Sequence, residues 1–408
     1  MDLSAVWSFG QAKWLKTKVQ KHNDPEDPYH LNPNEVVVIG KSFDVAKQRV
    51  HLNMATPFSL FNYIRALASG WSITIAGDGL YCVCKADFGM TILSAVALGG
   101  HHHAICYAIV PGETSEAWHS VWQGVVKALH YLMTKPILCE DAACKFCVMV
   151  RGCLQQPDVQ AFMRLEDFKS KSNFPVNVAV SDQIKSWPKF VSEAFDGQTK
   201  TISCHVHHVG IGHTRNIAKR YMVGANAAAL QEQFYALWAR SVATPYPELK
   251  PLVQKKIFQW LRSVKQPKAA QWFQEYHSGE GNGNWMWADA GVASVTHNMG
   301  LEGTIGQYKQ ATVNCNAKQN TGYFIATSVK FIGDKSEETY DKFSKSGDSL
   351  YTFPKAPTTM KIVYDKVQNV HPFTLCLTTL QTGAVSRQFR MDMLALLAIE
   401  DSDDQLHE

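Results

Sequence analysis

Three acidic residues stand where metal-dependent phosphodiester chemistry would need them. Asp78 lies between two glycines late in an apolar stretch, Asp182 ends a second apolar stretch, and Glu302 falls in a helical pattern. In-line cleavage of a phosphodiester uses two divalent ions about 3.5–4 Å apart, and carboxylate oxygens suit Mg²⁺ or Mn²⁺. We therefore predict that these acids hold the metal and are catalytic. Taken alone, an aspartate between glycines is also typical of a turn.

The elements that must position these acids come in an order typical of one fold. Three strands are predicted first, and the pair Gly99-Gly100 between the second and third predicts a hairpin. The predicted order then continues as helix, strand, helix, strand, helical block and the helix of Glu302. This order predicts an α/β fold of the ribonuclease-H-like class, with a mixed sheet, flanking helices and an all-α insertion before the last acid.

The same patterns predict the division of the chain. Residues 1–50 are predicted to form an N-terminal helix and linker segment, and residues 51–209 the first part of the core. The helical insertion is predicted at 210–283, the closing helix of the core at 284–312, and a C-terminal extension at 313–408. Two short strands at 36–39 and 49–54 and a short helix at 60–67 are predicted ahead of Asp78. The C-terminal extension is predicted to mix short strands with a final helix at 391–399.

Five stretches, taken in order, resemble the Mutator-like element transposases. They are Trp71–Asp78, Glu116–Trp118, Asn177–Asp182, Cys204-His-Val-His207, and Thr296–Glu302 ahead of Lys309. The resemblance covers about residues 50–310, and it is the order of the five stretches that is specific rather than any one of them.

The resemblance implies a DDE transposase that hydrolyses DNA and transfers strands at transposon ends. It implies double-stranded DNA as partner, a nuclear location, and Cys204 and His207 as an auxiliary pair near the metal-binding acids. A homo-oligomer is a further expectation. His205 and His208 are alternatives to His207, because residues three apart on a regular strand point to opposite faces. A buried structural cysteine and an ordinary histidine are the alternative for the pair.

The chain departs from that family at both ends. Residues 1–81 contain no cysteine for a zinc-type DNA-binding domain, and only Cys315 and Cys376 follow Glu302. Recognition of transposon ends is therefore the least supported part of the resemblance. Two rival functions stay open, namely a domesticated DNA-binding regulator that no longer cuts and a structure-specific nuclease on the same fold.

A cysteine cluster lies between the third strand and Asp182. Cys139, Cys144, Cys147 and Cys153 could hold a structural zinc ion tetrahedrally. Their spacing is irregular, and the apolar residues among them are equally typical of a strand or of core packing. The run His101-His102-His103 is predicted to be a solvated turn rather than a metal site.

The helical insertion is basic. Between Thr201 and Ala270 ten lysines and arginines face two acids. Such a segment is often a solvated helical face, but it also suits a polyanion, since neutralised phosphates release counterions. The residues predicted to bind DNA are Arg215, Lys219, Arg220, Lys255, Lys256 and Arg262.

Composition excludes several classes of protein. No apolar run approaches the ~20 residues of a membrane-spanning helix, and the first residues do not have the pattern of a signal peptide. The ten cysteines are unevenly spaced, unlike a disulfide framework, which favours a reducing intracellular compartment.

Overall fold

The computed structural model describes residues 32–44, 49–70, 73–80, 88–96, 101–134, 144–170, 174–182, 186–195, 197, 199–204, 218–242, 250–277, 299–312 and 321–345. The chain divides into two units. The first comprises Met1–Cys204 and Ser294–Ala356, and the second comprises His205–Ala293 and Pro357–Glu408. All three predicted metal-binding acids belong to the first unit.

A mixed sheet of seven strands forms the centre of the first unit. In chain order the strands are β1 Val37–Asp44, β2 Arg49–Ala55, β3 Thr74–Leu80, β4 Gly89–Val96, β5 His102–Val110, β6 Val178–Ser181 and β7 Lys200–Ser203. Their spatial order is β1-β2-β5-β4-β3-β6-β7. The β3–β6 and β6–β7 pairs are parallel, and the other neighbouring pairs are antiparallel. The predicted α/β class and the predicted strands of the first unit are confirmed.

The alternation of side chains along β3 assigns its two faces. Ile73 and Ile75 belong to the main hydrophobic core. A Cβ at Gly77 would lie 2.3 Å from Cζ3 of Trp187 and 3.0 Å from Cη2 of Trp118, so Gly77 faces the same helical layer. Asp78, the next residue, therefore projects from the opposite face.

The helices of the first unit cover both faces of the sheet. They are α1 Pro57–Ala68, α2 Ser115–Thr134, α3 Lys145–Leu154, α4 Pro157–Arg164, α5 Glu166–Ser170, α6 Ser186–Ala194, α10 Met299–Thr312 and α11 Thr321–Lys345. Helices α2 and α6 bury Trp118 and Trp187 beneath β3, with the two rings edge to face at 4.7 Å. His119 on α2 contacts Glu193 on α6 at 2.9 Å.

Helix α10, which carries Glu302, is fixed at both of its ends. Near its start, a Cβ at Gly300 would lie 2.5 Å from Cδ2 of His102, so only glycine permits this close approach to β5. Farther along, Tyr308 and Ser328 on α11 share a buried hydrogen bond of 2.8 Å. Helix α11 is in turn tied to the start of α1 by a 2.8 Å hydrogen bond between Ser336 and Thr56.

One prediction for secondary structure is wrong. Residues 321–345 of the C-terminal extension form one helix of 25 residues instead of short strands. Their buried positions include Phe324, Ser328 and Phe331, which is the spacing of one helical face. For Lys145–Leu154 the sequence left a strand and core packing open, and the segment is a helix with Phe146, Met149 and Val150 buried in the core. The predicted final helix at 391–399 and the glycines of the predicted hairpin lie outside the described residues.

No helix in the described parts of the chain combines the length and apolar character needed to cross a membrane.

The second unit is helical throughout its described residues, as predicted. Its main helices are α7 Ala227–Val242, α8 Lys250–Ser263 and α9 Pro267–His277. They share a core rich in aromatic side chains, among them Phe234, Trp238, Trp272 and Phe273. Buried Gln266 joins the segment before α7 to the start of α9, since its side chain bonds both the N–H and the C=O of Val223 at 3.0 and 2.9 Å.

Candidate active site

Asp78 and Asp182 lie side by side at one edge of the sheet. Gly77 on β3 is paired with Ser181 on the parallel strand β6, so the next position on each strand brings the two aspartates alongside each other. Asp182 follows the last residue of β6, and Asp78 is two residues from the end of β3. Oδ1 of Asp78 accepts a hydrogen bond from the N–H of Gly79 at 2.7 Å, which orients the carboxylate. Both side chains are half-buried.

Glu302 is carried to the same face of the sheet by α10. The helix packs on β3 and touches His102 at Gly300. His102 is paired with Val96, which is itself paired with Thr74. Thr74 and Asp78 lie four residues apart on one strand and so share a face. Glu302 is half-buried in the first turn of α10, with its Oε1 atom shielded from solvent.

Glu113 is a fourth acid at this edge, which the sequence patterns did not indicate. It lies between β5 and α2, where the chain leaves the sheet at the same edge as Asp78 and Asp182. The side chain of Ser186 donates a hydrogen bond to the Glu113 carbonyl and so anchors this segment to α6. The Oε1 atom of Glu113 is buried without a hydrogen-bond partner.

Burial, together with the neighbouring Asp78 and Asp182 carboxylates, raises the pKa of Glu113 to about 8. Like charges at this range make it costly to ionise all three groups together. The only sequence signal for Glu113 was its position three residues beyond β5, a strand that is antiparallel to β4 and therefore runs in the same direction as β3. That signal becomes useful only when the pairing of β3, β4 and β5 is known.

The donor set fits Mg²⁺ or Mn²⁺. All four side chains offer carboxylate oxygens. A divalent cation would reduce the repulsion between these carboxylates and would provide a partner for the buried Oε1 atom of Glu113. Among the described residues, no three histidine, cysteine, aspartate or glutamate side chains already form a set that could hold an ion. Metal binding by Asp78, Asp182 and Glu302 stays a prediction.

Glu113 should make the protein lose stability as the pH rises. Its carboxyl has a pKa of about 8 in the folded chain against 4.5 as the ordinary value, so the folded state keeps a proton that the unfolded state releases. Stability should therefore fall from about pH 4.5 to about pH 8. The Glu113 carboxyl should lower the free energy of unfolding by up to ~1.4 kcal/mol per pH unit in this range, and we expect Glu113→Gln to remove this contribution. Urea unfolding of both proteins across that range, without divalent ions, measures the difference.

Exposed Glu337 provides the matched control for this pH series. Glu337→Gln removes a carboxyl from the outer surface of α11 without touching the site, so its stability profile should follow that of the wild type. If Glu113→Gln also follows the wild type at every pH, the protonated state assigned to Glu113 is wrong.

The predicted auxiliary pair is only partly within the described residues. Cys204 follows β7 and is fully buried, and its N–H donates to the carbonyl of Ser181 at 2.8 Å. Cys204 thus lies one strand beyond Asp182 at the same edge of the sheet. His207 and its alternatives His205 and His208 lie outside the described residues, and the role of the pair stays a prediction.

The predicted solvated turn at the histidines is wrong for two of the three. His102 and His103 begin β5 and are half-buried, and only His101 is exposed. The pKa of His103 falls to about 3 because of burial, with a smaller effect from the Arg65 charge. His103 is therefore neutral at physiological pH. The three histidines had been assigned to a turn because two glycines precede them.

The predicted zinc ligands are distributed along α3. Cys144 is the N-cap of the helix, Cys147 lies in its first turn, and Cys153 lies near its end. The Cys144 and Cys147 sulfur atoms are 3.0 Å apart. Cys139 lies outside the described residues, so binding of zinc by all four cysteines stays a prediction.

Most of the predicted DNA-binding residues belong to the described part of the second unit. Lys219, Arg220, Lys255 and Arg262 are exposed and Lys256 is half-buried. On α8 the buried residues are Val253, Ile257 and Leu261, so helical geometry places Lys255 and Arg262 on the opposite face. The Arg262 guanidinium stacks on the Phe258 ring at 4.4 Å, which holds its charge at the surface. Arg215 lies outside the described residues.

A scan against models of protein families and a search of curated proteins each found no match to the chain.

Proposed function

We propose that this protein is a DDE-type DNA transposase of the Mutator-like class, which uses Mg²⁺ or Mn²⁺ to cut DNA and transfer strands at transposon ends in the nucleus. The observation that carries the proposal is that Asp78 and Asp182 lie side by side, each one position beyond the paired residues Gly77 and Ser181 of two parallel strands. Glu302 approaches the same face on α10, and Glu113 adds a carboxyl at the same edge. Carboxylates brought together from separate elements repel one another and destabilise the folded state unless a cation binds them.

The order of the strands supports a ribonuclease-H-like core. The run β5-β4-β3-β6-β7 places three antiparallel strands beside two parallel ones, with the first acid on the central strand β3. The second acid follows the next strand, and the third comes from a later helix. Strands β1 and β2 extend the sheet beyond β5.

The residues of the site have distinct parts in the proposed reaction. Divalent ions would activate the attacking water or hydroxyl and stabilise the leaving oxygen. Asp78, held by the Gly79 N–H, and Asp182 supply oxygens from the sheet. Glu302 supplies its carboxylate from the helix above, in a position fixed by Gly300 and Tyr308. Glu113 balances the charge of the site by keeping or releasing its proton.

An acid cluster of this kind favours an enzyme over a regulator that only binds DNA. A binding surface for DNA needs positive charge, and negative charge at Asp78 and Asp182 opposes the phosphates. Cleavage of a labelled duplex carrying the element's ends, with Mg²⁺ or Mn²⁺, tests the proposal. DNA binding without cleavage under both metals would favour the domesticated regulator, and cleavage without strand transfer would favour the nuclease.

The exposed face of α8 is proposed to bind the DNA backbone. Reversing two charges with Lys255→Glu and Arg262→Glu should weaken binding for all sequences alike and lower the slope of log affinity against log salt by about one per lost phosphate contact. Both side chains point away from the core, so the fold should be kept. Fluorescence anisotropy titrations at several salt concentrations measure the slope.

The control for this variant reverses two exposed lysines of the first unit, Lys169→Glu and Lys345→Glu. It changes net charge by the same amount but leaves the second unit intact. An equal fall in slope for the two double variants would show that net charge, rather than the face of α8, determines binding.

A further inference from the structure

Cys144 and Cys147 form a close pair of thiols at the start of α3. Their sulfur atoms are 3.0 Å apart, closer than two sulfur atoms in ordinary van der Waals contact and about 1 Å from the length of a disulfide bond. Cys144 is the N-cap of α3 and Cys147 is three residues later, so the helix places both side chains on one side. Such a Cys-x-x-Cys at the start of a helix is an arrangement known from redox-active sites.

The two thiols differ in exposure, as a stepwise exchange requires. Cys144 is half-buried and reachable from solvent, whereas Cys147 is fully buried. Phe146, one of the two residues between them, packs on Tyr340 of α11 with ring centroids 6.5 Å apart. Burial, with a smaller effect from the neighbouring Cys144 and Cys147, raises the pKa of Tyr340, so this side chain lies close to the pair.

We propose that Cys144 and Cys147 are a reversible redox site that exchanges with a small disulfide such as oxidised glutathione. The Cys144 sulfur attacks one glutathione sulfur, the glutathione disulfide breaks, and the first glutathione leaves with the Cys144 proton. The Cys147 sulfur then attacks Cys144, which forms the Cys144–Cys147 bond and releases the second glutathione with the Cys147 proton. Two protein thiols are oxidised and one glutathione disulfide is reduced.

The geometry favours a disulfide over a metal site. Zinc requires four ligands in a structural site, and Cys153 lies nine residues beyond Cys144, near the other end of the helix. The proposal is independent of the transposase function, since it rests on α3 and α11 alone.

The test equilibrates the full chain with mixtures of reduced and oxidised glutathione, blocks free thiols with N-ethylmaleimide, and digests with trypsin without reduction. Cleavage after Lys145 separates the two cysteines, so a disulfide would join the peptides 128–145 and 146–151. We expect this joined pair to grow with the share of oxidised glutathione and to vanish with dithiothreitol. Cys144→Ser and Cys147→Ser should each abolish it.

Cys153→Ala is the matched control on the same helix and should leave the joined pair unchanged. Three results would overturn the proposal. The first is that both thiols are alkylated at every glutathione ratio. The second is that the joined peptides persist in Cys144→Ser, which would assign the bond to Cys139. The third is stoichiometric zinc in the reduced protein that is lost in Cys144→Ser.

Discussion

Asp182→Asn should abolish DNA cleavage and strand transfer while leaving DNA affinity in place. Asparagine keeps the shape of the side chain but removes the negative charge that a divalent ion requires. Mutation of groups that only support a metal ligand costs about 10–100-fold, so losing the ligand itself should lower the cleavage rate by at least ~100-fold. Affinity for DNA arises from lysine and arginine contacts to phosphates and should change little. A cleavage assay beside a binding titration measures both.

Asp334→Asn is a suitable control, because Asp334 is an exposed acid on α11 which forms an ion pair with Lys330 on the same helix. It should cleave like the wild type. If Asp182→Asn also cleaves like the wild type, Asp182 is not a metal ligand. If both cleavage and binding fail in Asp182→Asn, the loss would reflect folding, which circular dichroism of the variant would detect.

Gly77→Ala should destabilise the first unit strongly. The added methyl would lie 2.3 and 2.5 Å from Cζ3 and Cη2 of Trp187, and that ring is fully buried against Trp118. Neither indole can move away without breaking the edge-to-face packing, so the cost should be about 1–3 kcal/mol or more. Because Gly77 adjoins Asp78, the displaced strand should also lower the cleavage rate. Thermal or urea unfolding measures the first effect.

Gly112→Ala is the glycine control for Gly77→Ala. A Cβ at Gly112 meets no atom within 4 Å, and the residue precedes Glu113 at the same edge of the sheet. We expect its unfolding midpoint to match that of the wild type. An equal midpoint for Gly77→Ala would contradict the packing described for β3.

Much of the sheet was predictable because its signal is local. Apolar alternation marked β3, β4 and β5, and turn residues between the runs marked their ends. The α3 helix was missed because Val148 and Val150 favour strands by themselves, while burial of Phe146 and Cys147 against neighbouring helices favours the helix. Tertiary packing, rather than local propensity, therefore determined the secondary structure of α3.

The four acids of the candidate site differ in whether the sequence alone identifies them. Asp78 and Asp182 were found because each ends or nearly ends a recognisable strand. Glu113 was missed, because its closeness to them depends on three strand pairings that no short stretch encodes. His102 was assigned to a turn because Gly99 and Gly100 precede it, and its contact with Gly300, about 200 positions away, is not encoded in any short stretch.

The most direct test of the central claim is the position of Mn²⁺ by anomalous diffraction from crystals of the full chain with duplex DNA. The proposal predicts Mn²⁺ between the Asp78 and Asp182 carboxylates, within reach of Glu302 and next to a DNA phosphate. It also predicts that this signal disappears in Asp182→Asn crystals. Mn²⁺ bound elsewhere, or a Glu302 side chain on the far side of the sheet from Asp78, would contradict the account.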